Sequence, residues 1–170
     1  MKRLGFGVLM LVMLAAAAVY AQQQGTGDML QQMRDRAEIE DLMWRYTRAL
    51  DTGNADAYAA AYTPDGQFMA GTTATKGRDA LRKMVADLNV NQPPAAGQPP
   101  RAPMYHMTTN HAITFIDKDH ARIDSYYLTA FGAVGQATPL RVAAVGRSVD
   151  ELVRLNGKWL IKSRNVAPQN

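Results

Sequence analysis

The chain predicts an α+β fold, with helices first and an antiparallel sheet after them. Three observations carry that reading. From Asp28 to Leu50 the apolar residues Ile39, Leu42, Met43, Tyr46 and Leu50 recur at the spacing of one helical stripe. In the second half, runs rich in β-branched and aromatic residues are divided by "DKDH" and "NG", the latter the strongest short hairpin signal. Helices grouped ahead of a strand meander pack on one face of an antiparallel sheet.

The first 21 residues, "MKRLGFGVLMLVMLAAAAVYA", place Lys2 and Arg3 before an apolar run from Leu4 to Ala18 and end on Val19-Tyr20-Ala21, a small residue last and a tolerated one two before it. This pattern reads as a secretory signal peptide, residues 1–21, cut before Gln22. The run is short for a membrane span. The mature protein is therefore expected to be periplasmic or secreted, with no membrane anchor. Residues 22–29 are polar and glycine-containing and read as a flexible tether. A single domain is expected over 30–166.

Within that domain, Gly53 stops the first helix and Asn54 can cap a second, "ADAYAAAYT". That helix would bring Tyr58 and Tyr62 to one face. Pro64-Asp65-Gly66 is a turn signal. "QFMAG" and "TTATKG" read as a short hairpin. "GRDALRKMVADLN" reads as a third helix with Leu81, Met84, Val85 and Leu88 as its stripe. "NQPPAAGQPPRAP" carries five of the eight prolines and reads as a loop, at the surface or bordering a pocket mouth. "YHMTTNHAITFI", "ARIDSYYLTAF", "RVAAVGRSVDELVRL" and "KWLIKSRNV" complete a four-stranded meander. A long twisted sheet curled around a helix leaves a cavity between them.

Composition removes several function classes. The chain has 19 Lys and Arg; without Lys2 and Arg3 it has 17, against 15 Asp and Glu, a net charge of +2. No basic stripe interleaved with aromatics accompanies this balance, so nucleic acid is not an expected partner. There is no cysteine, which excludes disulfides, thiolate metal sites and a cysteine nucleophile. The three histidines lack HxxxH or HExxH spacing, so no metal is expected. No phosphate-binding glycine motif and no nucleophile elbow are present, and no cofactor is expected.

Two residues stand out chemically. Asp51 follows the last stripe residue, Leu50, at the end of a helix. A partly desolvated carboxylate there can act as a base or orient one. It can equally be a polar helix end, although a helix C-terminus disfavours negative charge. On that ground Asp51→Asn is expected to leave stability equal or slightly raised. The second is a histidine. Strand parity puts His106, Thr108 and Asn110 on one face and Tyr105, Met107, His111, Ile113 and Phe115 on the other. Without a bulge only one of His106 and His111 can face a cavity, and the apolar pattern favours His111. His120 sits beside the "DKD" turn.

"IEDLMWRYTRALDTGNADAYAAAYTPDGQF" resembles the opening of SnoaL-like domains in the nuclear transport factor 2-like superfamily. "KGRDAL", "YHMTTNHAI" and "VDELVRLNGKWLIKSR" agree with it, and the resemblance spans about residues 30 to 166. It implies a cone-shaped, curved sheet wrapped around three N-terminal helices, a homodimer formed through the sheet, and a pocket for a small hydrophobic or polycyclic molecule. It also implies His106, not His111, as the partner of Asp51 in proton transfer. The expected lining is Trp44, Tyr46, Tyr58, Tyr62, Phe68, Met84, Met107, Asn110, Tyr126 and Phe131. Two departures from the scytalone dehydratase pattern stand out. Leu50 replaces a tyrosine before Asp51, and Ser125, Tyr126 and Tyr127 stand where a second histidine would be. Isomerases, dehydratases and cyclases share this fold with members that do no chemistry. A cofactor-free lyase or isomerase and a non-catalytic binding module are both open expectations.

Overall fold

The computed structural model describes residues 2–98, 100–134 and 139–168, with side chains from Tyr20 onward except residue 21. Met1, Pro99 and the side chains of the apolar run lie outside the described set. The contacts divide the chain into two units, 1–38 and 39–170. The first is helical. It holds most of α1 (Lys2–Asp51), which continues into the second unit. Residues 22–29, read as a tether, fall inside α1. Gln22, Gln23 and Gln24 are good helix formers, and Gln24 Nε2 donates to Tyr20 Oη one turn back. Among the described residues no helix is long and apolar enough to cross a membrane.

The second unit holds the end of α1, then α2 (Ala55–Ala60), β1 (Tyr62–Ala70), β2 (Thr73–Lys76), α3 (Arg78–Ala86), β3 (Met104–Phe115), β4 (His120–Phe131), β5 (Arg141–Leu155) and β6 (Lys158–Asn165). The strands form one six-stranded sheet in the order β2-β1-β6-β5-β4-β3. It is curved and unclosed, and antiparallel except where β1 runs parallel to β6. The short hairpin and the meander are thus one sheet.

The expected stripe is the core. Ile39, Leu42, Met43 and Tyr46 of α1 are buried in one cluster with Ile113, Ile123, Leu152, Trp159 and Ile161 of the sheet. Tyr58 of α2 and Leu81 and Val85 of α3 join it. α2 is shorter than its sequence suggests, because Tyr62 already pairs with Ile161 as the start of β1. Pro64-Asp65-Gly66 turns within β1, between the Tyr62 and Gln67 pairings. Gly66 is required there, since a Cβ would lie 2.9 Å from Tyr62 Cβ and 3.0 Å from the Ile161 carbonyl. α3 ends at Ala86, which leaves Leu88 exposed.

Two bulges decide which side chains meet α1. On β3, Thr109 pairs with Tyr126 and Ala112 with Asp124, so Asn110 and His111 together oppose Ser125. Asn110 takes a left-handed φ of 56° to make that turn. The bulge reverses the strand's parity, so the face that carries Ile113 and Phe115 below it carries His106 and Thr108 above it. On β6, Ile161 pairs with Leu152 and Ser163 with Glu151, leaving Lys162 as the extra residue. Arg164 therefore shares the inner face with Ile161, opposite Asp150 on β5.

Candidate functional site

Asp51 is the last residue of α1, and the backbone beyond it is firmly set. Asn54 N donates to Ala49 O at 2.8 Å and Gly53 N to Leu50 O at 3.2 Å. This is a Schellman termination with Gly53 at φ 66°. Asn54 then caps α2, its Oδ1 accepting from Ala57 N at 3.0 Å. The Asp51 carboxylate is held on the far side by one residue of β3. His106 N donates to Oδ1 at 3.0 Å and the ring Nδ1 lies 2.6 Å from the same oxygen. The two side chains are only 8% and 21% exposed, Asp51 and His106 respectively. With Nδ1–H donating to the carboxylate, the neutral ring keeps its lone pair on Nε2, a tautomer assigned from this bond.

A cavity of about 210 Å³ opens beside the pair. Tyr46, Thr47 and Leu50 line it from α1, Phe68 from β1, His106 and Thr108 from β3, Tyr127 and Thr129 from β4, Ala144 from β5, with Arg164 and Val166 at the end of the chain. Two cross-strand rows build the sheet side: His106, Thr129 and Ala144, and Thr108, Tyr127 and Gly146. Gly146 allows the Tyr127 ring to lie across β5, since a Cβ there would stand 2.8 Å from Tyr127 Oη.

Behind the cavity is a second polar centre. Arg164 Nη1 donates to Asp150 Oδ2, both side chains being nearly or wholly buried. The guanidinium carbon lies 4.9 Å from the centre of the Tyr46 ring. Tyr46 packs on Tyr58 and Tyr62, whose hydroxyls are 3.2 Å apart. Burial pushes the Tyr58 and Tyr62 phenols well above their ordinary 10.0, so both remain protonated. Burial raises the Asp150 carboxyl to about 6, against the pull of Arg164. Burial works against the Arg164 cation, but Asp150 and the surrounding Tyr46, Tyr62 and Tyr58 together outweigh it and the guanidinium stays charged. Asp150 Oδ1 and Arg164 Nε are both buried and lack a hydrogen-bond partner among the described residues.

Of the site residues read from sequence, His106, Tyr46 and Phe68 line this cavity, and Asp51 reaches it through its hydrogen bonds to His106. The others do not line it. Trp44 is off the buried stripe and 65% exposed. Tyr58 and Tyr62 are sealed in the core behind Tyr46, and Met84 packs at the core's edge. Met107 and Tyr126 point to the outer face because their neighbours His106 and Tyr127 point in. Asn110 forms the bulge and is exposed. Phe131 pairs with Arg141, which lies over its ring at 4.3 Å. His111, the other residue of the bulge, is exposed, and His120 bonds Asp117 in its turn at 2.9 Å. Sequence reading missed Thr47, Thr108, Tyr127, Thr129, Ala144, Val166 and above all Arg164. The period-2 pattern started from His106 recovers Thr108; Arg164 is hidden by the bulge at Lys162. Among the described residues no group of three or more potential ligands could hold a metal ion.

Known proteins carry the same architecture. A nuclear transport factor 2-like protein with a cystatin-like fold from Novosphingobium aromaticivorans superposes with a TM-score of 0.68 at 21% identity, over 85% of this chain and 88% of that one. Rv3472 from Mycobacterium tuberculosis, described as of unknown function, gives 0.68 at 22% identity, over 82% and 74%. ActVI-ORFA from Streptomyces coelicolor gives 0.65 at 21% identity, over 78% and 95%. At these identities the likeness is one of fold. No curated protein matches the chain. The SnoaL-like domain family matches residues 31–165, and its wider fold includes cofactor-free isomerases, dehydratases and cyclases. This chain belongs to the SnoaL-like domain family.

Proposed function

We propose that this protein is a cofactor-free acid–base enzyme, an isomerase or lyase, acting on a small apolar organic molecule. The Asp51–His106 pair at the cavity carries the reading. Asp51 fixes the imidazole tautomer and stabilises the imidazolium that forms when Nε2 takes a proton. The cavity of about 210 Å³ is below the usual ligand range of about 300–1,000 Å³, which favours a one-ring substrate over a polycyclic one. A second reading has its own support. The carboxylate also accepts from His106 N, and so ties the end of α1 to β3. A non-catalytic binding module would use the pair in that way alone.

Proton transfer can be tested before the substrate is known. One-ring ketones, enones and alcohols are incubated with the protein in D₂O and deuterium incorporation is followed by NMR. The expected result is exchange into at least one compound, reduced roughly 10²–10⁴-fold in Asp51→Asn and in His106→Ala. Asp51→Asn should keep the fold at a cost of about 0.5–2.7 kcal/mol, not the equal or slightly raised stability expected from the helix end alone. It loses charge-assisted hydrogen bonds worth about 1.5–3 kcal/mol and gains back about 0.3–1 kcal/mol at the helix end. Binding without exchange in any compound would favour the binding module.

The N-terminal stretch supports export to the periplasm or beyond, with residues 22–29 as a tether in the mature chain. The exposed outer face of β3, β4 and β5 supports a homodimer.

A further inference from the structure

Arg164 is not used by the Asp51–His106 chemistry, yet it lines the same cavity. Keeping a guanidinium among Tyr46, Tyr58 and Tyr62 is costly unless its donors are used. A guanidinium offers five N–H donors. Asp150 takes Nη1, and Nε has no acceptor among the described residues. The charges around the cavity also matter. Arg164 and Asp150 cancel, and Asp51 leaves the site one negative charge while His106 is neutral. A ligand anion would be repelled by that surplus, and a hydrocarbon would leave the donors unmet.

We propose that Arg164 is a specificity-determining residue whose guanidinium donates to an uncharged oxygen of the ligand, so that the site takes small oxygen-bearing apolar molecules over hydrocarbons and acid anions. The inference concerns the same cavity as the proposed activity and rests on ligands entering it, but it does not depend on proton transfer. The Tyr46 ring stacked on the guanidinium holds the group in place. The inner-face position created by the Lys162 bulge presents it to the cavity.

The test uses the full-length chain and three one-ring probes of similar size: acetophenone, ethylbenzene and benzoate, with dissociation constants measured by calorimetry or NMR titration. Acetophenone is expected to bind at least tenfold more tightly than either of the others. In the variant carrying both Arg164→Met and Asp150→Asn, which leaves no buried charge unpaired, the preference over ethylbenzene should fall below threefold while ethylbenzene still binds. Arg164→Lys, which keeps the ion pair but not the planar fork, should retain the fold and show a reduced preference. It stands as the deciding variant if the double variant fails to fold. Asp51→Asn should keep the acetophenone preference while losing deuterium exchange, so the two readings fail separately. Equal binding of acetophenone and ethylbenzene, tightest binding of benzoate, a preference undiminished without Arg164, or no binding of any probe at millimolar concentration would each overturn the assignment.

Discussion

A carboxylate at the C-terminal end of a helix is disfavoured by the helix dipole by about 0.3–1 kcal/mol. Asp51 occupies that position because its hydrogen bonds to His106 more than offset the penalty. The energetics of Asp150 are different, because its position is deeply buried. Its carboxyl is raised from 3.8 to about 6 by desolvation, with Arg164 lowering it and Asp124 adding a small upward push. The folded state therefore keeps a proton that the unfolded chain has already released. The stability this group contributes is fully present below about pH 4 and is lost as the pH rises to about 6. Arg164→Met removes the one neighbour that pulls the carboxyl down, so the folded value moves further up and the loss continues into the neutral range. Urea midpoints at pH 5, 6, 7 and 8 read this directly. The gap between wild type and Arg164→Met should widen as the pH rises from 6 to 8. A constant gap would show that Arg164 does not control the titration of Asp150.

Elements differ in how much of themselves the sequence shows. The α1 stripe is legible because five apolar residues at helical spacing leave one solution, and all five are buried. The "NG" turn is legible because it needs two left-handed residues, and Asn156 and Gly157 have φ of 51° and 75°. The bulges are not legible, because an inserted residue in a run of strand formers changes parity without changing composition. His111 therefore looks like the core histidine by pattern, while the bulge at Asn110 turns His106 inward. The same mechanism hid Arg164 behind Lys162 and put Met107 by pattern on the face of Ile113 and Phe115. Asn110 is the residue that tolerates the left-handed turn. Asn110→Gly should hold or raise stability by up to about 1 kcal/mol, and Asn110→Val should cost about 1–3 kcal/mol. Thermal melts of both variants check it; equal stability of the two would mean that the bulge does not need a left-handed residue.

Across the second unit, the inner face of the sheet is occupied by helices and cavity, and the outer face of β3–β5 is where apolar side chains collect. Met107, Leu128 and Val145 form one cross-strand row, and Tyr105, Ala130 and Val142 form the next. Met107, Val145, Tyr105 and Val142 are 45%, 72%, 47% and 56% exposed. Tyr126, pairing with Arg147 in the adjoining row, is 56% exposed. Isolated apolar residues on a surface need no explanation, but contiguous rows of them mark contact sites. A second copy is the partner proposed, because a two-fold axis through β4 would set each apolar row against the same surface of the other chain and cover both at once. A stable dimer needs about 800 Å² from each partner, an area that three adjacent strands of 12 to 15 residues can supply. Light scattering at micromolar concentration should give twice the mass of one chain. Val145→Glu, which puts a charge at the centre of the face without touching the core, should give the single-chain mass while keeping the circular dichroism spectrum and the cavity's probe binding. A wild-type protein that runs as one chain, or a Val145→Glu variant that still pairs, would place the interface elsewhere or remove it.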